Sequence, residues 1–115
     1  MEDLINKIRT AMFEEHERMC VKYGDTYHTS HEAYAVTLEE FEEVTELLEW
    51  MKLRLGGMWD GIKQDYPPHR MANDMSKLYQ FAVRAAAECV QVAACCHKAL
   101  QSECCKESED EWKAK

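Results

Sequence analysis

Glycine and proline are scarce, at four and two in 115 residues. So few chain-breakers exclude the frequent turns of an all-β fold and favour long helices. Most of them fall together, at Gly56, Gly57, Gly61, Pro67 and Pro68. Basic residues are also in short supply. Fourteen Lys and Arg stand against 22 Asp and Glu, a formal charge of −8. A duplex nucleic-acid binder needs a cationic footprint to displace counterions, so that class is excluded. Nucleotides are not, because a carboxylate-bound cation can bridge an acidic protein to phosphate. No apolar run approaches the ~18 residues of a membrane span. The opening MEDLINKIRT lacks the apolar core of a signal peptide. These absences lead to the expectation of a cytoplasmic protein with no membrane association.

The length suits one domain, expected over residues 1–105, with the acidic tail 106–115 disordered. Six cysteines include the adjacent pairs Cys95-Cys96 and Cys104-Cys105. Neighbours on a helix point apart and cannot staple a fold, and the run ending in His97 matches no zinc spacing. Buried, reduced thiols are expected.

Helical periodicity organises the rest. Leu4, Ile5, Ile8, Met12, His16 and Met19 mark a first helix from Glu2 to about Lys22, stopped by Gly24. On that stripe His16 reads as a core-edge histidine. Thr29 and Glu32 form a capping box for a second helix, expected to end near Leu55 ahead of Gly56-Gly57. Its apolar stripe is Tyr34, Phe41, Val44, Leu48, Met51 and Leu55, a near-heptad pattern suited to a bundle. Residues 56–70 then read as a long connection bearing Trp59, Tyr66 and His69, either a binding loop or a simple crossover. An Ala-rich third helix is expected from about Met71 to Cys104, with a buried face of Leu78, Phe81, Ala85, Val92, Cys96 and Ala99. The expected fold is all-α, a bundle of three long helices with a short connecting helix. Its wide apolar stripes would be better covered in a dimer or tetramer.

Against this pattern several acidic residues stand out. Glu42, Glu46 and Glu49 lie opposite the apolar stripe of helix two and form an ordinary wet face. Glu40 and Glu43 instead share a ridge with Val36 and Leu47, while Glu39 sits at its border. Glu88 falls inside the apolar arc of helix three, and Gln91 lies one turn on. A carboxylate in such a place must be protonated, paired or bound to a cation; Arg84 or Lys77 would serve as ion-pair partners. Facing helices can bring Glu40, Glu43 and Glu88 together, with the Gln91 amide completing an oxygen-rich site. Three carboxylates suffice for Mg²⁺, which keeps several waters.

The pattern Glu39-Glu40-x-x-Glu43 followed by Glu88-x-x-Gln91 resembles the MazG-like, all-α nucleoside triphosphate pyrophosphohydrolases, whose pattern is EExxE and then ExxD. The stretches SHEAYAVTLEEFEEV and AECVQVAACCHKAL are similar to small phage-type members, so a phage or prophage origin is suspected. The resemblance covers roughly residues 28–100. It implies Mg²⁺-dependent hydrolysis, with Mn²⁺ as an alternative ion, of a nucleoside or deoxynucleoside triphosphate to the monophosphate and pyrophosphate. Glu40, Glu43 and Glu88 map onto metal ligands and Glu39 onto the accompanying acid. The resemblance also implies a homodimer or homotetramer, often with pockets built from two subunits. Gln91 departs from the pattern, since it replaces the usual aspartate.

In the resulting scheme the base is Glu39 or Glu43, acting through a metal-bound water. Lys77, Arg84 and Lys98 share a ridge and reach phosphate, or form a solvated basic stripe. Trp59, Tyr66 or Trp50 stacks on the nucleobase. Two other readings fit the same residues: a relative that binds nucleotide or metal without turnover, and a helical protein-interaction module.

Overall fold

A computed structural model describes residues 1–106. Helix α1 spans Glu2–Tyr23, α2 Ser30–Lys63 and α3 Pro68–Leu100, followed by one 3₁₀ turn at Glu103–Cys105. Among the described residues there is no strand, and no helix is long and apolar enough to cross a membrane. The all-α class is therefore observed. The tail expected over 106–115 lies outside the described residues beyond Lys106.

Helix α1 ends where the sequence predicts. Gly24 takes φ 92°, a left-handed region that costs glycine little, and its N–H donates to the Cys20 carbonyl at 2.8 Å. At the start of α2 the Glu32 N–H donates to the Thr29 hydroxyl at 3.0 Å, which is the forward half of a capping box.

The end of α2 is a correction. The helix does not stop near Leu55 but runs through Gly56, Gly57 and Gly61 to Lys63. Each interior glycine costs about 1 kcal/mol relative to alanine. Burial of Met58 offsets part of that cost. Gly61 also has a packing reason. A Cβ there would come within 2.8 Å of the Tyr66 ring, so glycine lets the turn fold back on the helix. The long connection expected over 56–70 is therefore a short turn, with Asp65 at φ 53° and the Tyr66 N–H bonded to the Gly61 carbonyl at 2.9 Å. Pro68 opens α3, since the first helical turn has no use for its missing N–H. Helix α3 starts before the expected Met71 and ends at Leu100 rather than near Cys104.

The chain forms two compact units. One comprises Met1–Glu40 and, among the described residues, 90–106. In it the His97 ring meets Phe13 and His16 edge-on, at 5.2 and 4.6 Å between centroids, which docks α1 on the end of α3. Small residues, Ala33, Ala94 and Cys95, fill its interior. The α1–α2 link is pinned by Tyr27, which is buried. Its N–H donates to the Ser102 hydroxyl at 2.8 Å, and that hydroxyl donates to the Lys98 carbonyl at 2.8 Å. The Lys98 ammonium lies 4.5 Å from the centre of the Tyr27 ring, a cation–π contact away from water.

The other unit, Phe41–Cys89, is an antiparallel hairpin of α2 and α3. Arg54 pairs with Asp74 at 3.3 Å, and the Trp50 ring stacks on Phe81 with centroids 6.4 Å apart. Near the turn, Met58, Ile62, Tyr66 and Met71 line a recess of about 240 Å³ with Asp65 and Asp74. Two helices bury only the sides that face each other, and this unit shows it. Of the expected α2 stripe, Val44 is buried and Met51 half-buried, whereas Phe41, Leu48 and Leu55 are exposed. Tyr34, in the first unit, is exposed as well.

The thiols also differ from expectation. All six are free, but only Cys95 is buried; Cys89, Cys96 and Cys105 are exposed. On α3 the position facing inward is therefore Cys95 rather than Cys96. Neighbouring residues on a helix differ by roughly 100°, so an arc drawn one residue out selects the wrong thiol.

Candidate metal centre

Glu40 and Glu43 stand one turn apart on α2, spaced i, i+3, so their side chains are neighbours. Glu43 shares the hairpin unit with Glu88, which comes from the antiparallel α3. One carboxylate oxygen from each of the three lies within 4.8 Å of the others. Among the described residues this is the only group of three or more such side chains with metal-holding geometry. Glu40 and Glu88 are half-buried and Glu43 is exposed. The site thus has a protected side and an open side.

The donors suit a hard cation. Oxygens bound to one octahedral Mg²⁺ at ~2.1 Å lie roughly 3 Å apart when adjacent and about 4.2 Å when opposite. Separations of up to 4.8 Å need only a modest rotamer adjustment of flexible glutamates to close. Carboxylates this close repel one another, and a shared divalent cation turns that repulsion into ligation.

The other residues singled out in the sequence are placed as follows. Glu39 is exposed, next to Glu40 on α2. Gln91 is half-buried, one turn beyond Glu88 on α3. Lys77 and Arg84 are exposed on the same helix. Lys98 differs from them, being only 3% exposed beneath the Tyr27 ring. Trp59 is exposed, with the Lys63 ammonium 5.7 Å from its ring centre. Tyr66 closes against Gly61 and carries Arg70 over its ring at 4.4 Å.

Sequence reasoning did not single out Tyr27 and Ser102. Their only signal was a polar link followed, 75 residues later, by a serine just past a helix end. Burial pushes the Tyr27 hydroxyl's pKa well above its ordinary value, with the Cys95 thiol next in effect. That thiol is a neighbour of the hydroxyl rather than a well-formed hydrogen-bond partner. Burial likewise raises the Cys95 pKa, and the Glu40 carboxylate pushes it the same way.

No family model matches this chain, and comparisons with curated proteins and with solved structures find no match.

Proposed function

We propose that the protein is a Mg²⁺-dependent nucleoside triphosphate pyrophosphohydrolase. The observation that carries this reading is the convergence of Glu40, Glu43 and Glu88 from two helices. Support comes from the order in which the sequence supplies them, an EExxE stretch and then Glu88. A divalent cation bound there would neutralise polyphosphate and stabilise charge that develops on the leaving pyrophosphate.

The chain's own residues do the rest. Glu40, Glu43 and Glu88 would hold the cation at the half-open site. A water attacks the α-phosphorus, its proton passes to Glu39 or Glu43, and the bond to the bridging oxygen breaks to release pyrophosphate. The exposure of both glutamates suits that role, since the base must reach solvent to discharge its proton. Lys77 and Arg84 are the exposed cations of α3 for the phosphate chain, and Trp59 offers a ring face for the base. Gln91 has an amide oxygen that accepts hydrogen bonds but takes no proton at neutral pH. It therefore orients water or substrate and is not the base.

Gln91 also favours a second reading, in which the site binds nucleotide and metal without turnover. One experiment separates the two. Pyrophosphate release is followed with a panel of ribo- and deoxynucleoside triphosphates, with Mg²⁺, with Mn²⁺ and with chelator, alongside the melting temperature. The hydrolase reading expects metal-dependent release, lost in Glu88→Gln. Metal-dependent stabilisation without release assigns the protein to the binding class, because a ligand of the folded state alone raises the melting temperature. Neither release nor stabilisation in folded protein would leave an acidic interaction module.

A further inference from the structure

The fold treats the chain's two adjacent thiol pairs differently. Cys95 and Cys96 sit within α3, where neighbours differ by roughly 100°, and the helix buries the first and exposes the second. Cys104 and Cys105 lie beyond the end of α3, on the 3₁₀ turn. There the two Sγ atoms stand 3.6 Å apart. Among the described residues these are the two thiols that meet. The turn grips both backbone groups of Tyr27. Its N–H donates to the Ser102 hydroxyl at 2.8 Å, and its carbonyl accepts from the Cys104 thiol at 3.6 Å. Cys104 is half-buried and Cys105 exposed, so the pair is held in place yet open to water.

A disulfide suits this pair poorly. Adjacent α-carbons stand ~3.8 Å apart across a trans peptide, short of the roughly 4.4–6.8 Å that a relaxed disulfide spans. Burial first, then the neighbouring Cys105, also holds the Cys104 thiol above its ordinary range, so it stays protonated at neutral pH. A bridging atom fits better. A centre bonded to each sulfur at about 2.3 Å, with an angle of roughly 100–110°, spans about 3.5–3.8 Å between them. The observed 3.6 Å falls within that range. Structural zinc takes four donors, yet among the described residues no third His, Cys, Asp or Glu joins the two sulfurs in metal-holding geometry. A trivalent arsenic centre that already carries one organic group needs only two more bonds. Its hydrated form, R–As(OH)₂, is uncharged, so the chain's −8 does not repel it.

We infer that Cys104 and Cys105 form a two-sulfur clamp for a trivalent arsenical that carries one organic group. In the capture step both S–H bonds and both As–OH bonds break, two As–S bonds form and two waters leave. Arsenic stays trivalent and nothing is oxidised. The exposed Cys105 sulfur meets the arsenical first, and Cys104 closes the clamp. In closing, Cys104 gives up the hydrogen that it donates to the Tyr27 carbonyl, so a loaded clamp loosens one of the two bonds that hold Tyr27 to the turn. The clamp lies apart from the clustered carboxylates in sequence and chemistry, and it stands whether or not they bind a cation.

The test is equilibrium dialysis of the reduced full chain against phenylarsine oxide, with bound arsenic counted by elemental analysis. Excess 2-mercaptoethanol is present throughout, to strip arsenic held by a single sulfur. The folded protein is expected to hold one arsenical per chain. The same chain in urea is expected to hold two, one on each adjacent pair, because unfolding frees Cys95 to join Cys96. Cys104→Ser and Cys105→Ser are each expected to weaken binding by the folded protein about 100-fold or more, since two linked contacts exceed either alone by at least that order. A serine hydroxyl at position 104 still donates to the Tyr27 carbonyl, and circular dichroism checks that the variants fold. Cys96→Ser breaks the other pair and is expected to leave the folded count at one. A folded wild type that binds no arsenical overturns the proposal. So does a count that is the same folded and in urea, or binding that survives loss of either sulfur at 104 or 105.

Discussion

Ser102→Ala isolates one hydroxyl whose energetic role can be worked out bond by bond. Ser102 is fully buried, and its oxygen accepts from the Tyr27 N–H and donates to the Lys98 carbonyl, both at 2.8 Å. The two losses are unequal. The Lys98 carbonyl keeps the Gln101 N–H at 3.2 Å, so it stays satisfied. The Tyr27 N–H loses the hydroxyl and is left inside the fold, at a cost of about 1–3 kcal/mol. Alanine removes a single oxygen, so a cavity adds little. Ser102 makes no capping bond to the 3₁₀ turn either, so no cap is lost. The expected destabilisation is about 2 kcal/mol, a large share of the roughly 5–15 kcal/mol that holds a domain together. Urea unfolding followed by circular dichroism reads it as a midpoint lowered by about 1 M, given slopes of about 1–3 kcal/mol/M. Ser76→Ala, exposed on α3, is the control and should stay within about 0.5 kcal/mol of wild type. A Ser102→Ala midpoint equal to that of the control would refute the bridge, since it would mean that the Tyr27 N–H finds another partner.

Three further outcomes follow from particular positions. Burial first, then the His97 ring, lowers the His16 pKa below its ordinary 6.5. The unfolded chain then binds that proton more readily, so stability falls as pH drops below about 6.5. In His16→Gln this acid-side loss is absent, and the stability gap between wild type and variant should be smaller at about pH 5.5 than at about pH 7.5. An unchanging gap excludes the shift. Gly56→Ala and Gly57→Ala meet open space in a helix interior and should each stabilise by up to ~1 kcal/mol in chemical denaturation. Gly61→Ala should gain less or lose, because its Cβ meets the Tyr66 ring; an equal gain at all three positions shows that the ring yields freely. At the acidic cluster, Glu43→Gln should abolish any rise in melting temperature with Mg²⁺ while leaving the metal-free melting temperature near wild type, since Glu43 is exposed.

Local signals were the most legible part of the sequence. Helix α1, the Thr29 cap and the all-α class follow from stripe spacing, a capping box and scarce chain-breakers. The glycines misled because a local cost was read without its tertiary offset. Gly56-Gly57 looked like a stop, yet Met58 buries and Gly61 accepts Tyr66, so the helix continues to Lys63. Periodicity also tells which face of a helix is apolar without telling what covers it. Tyr34, Phe41, Leu48 and Leu55 were assigned to a core and lie exposed in the single chain. Lys98 shows the same gap from the other side. Its ridge with Lys77 and Arg84 reads as reaching phosphate or as a solvated stripe, both of which need an accessible ammonium, but a loop 71 residues earlier folds Tyr27 over it. That Glu40, Glu43 and Glu88 come together follows from i, i+3 spacing and an antiparallel partner helix, both readable in advance.

The apolar stripe and the clustered carboxylates, for which a covering copy and a cation are expected, point to different sides of α2. Two residues separate Phe41 from Glu43, a rotation of roughly 200°, and one residue separates it from Glu40, roughly 100° the other way. The carboxylates therefore lie a quarter-turn or more from Phe41, the stripe residue nearest to them along the helix. A second copy covering that stripe leaves the open side of the acidic cluster in water. Association and cation response should then be separable. Leu48→Glu with Leu55→Glu should yield a monomer that still melts higher with Mg²⁺, and Glu43→Gln should yield a dimer that does not. The discriminating result is a monomer that loses its Mg²⁺ response while keeping full helicity. It would show that the second copy completes the site, with groups reaching around α2 to the carboxylates, and would refute the separation argued from helix geometry. Both single defects, each without the other, would instead show one helix using its curvature twice: a flat apolar side to join two chains, and a cluster of oxygens beside it to hold a cation.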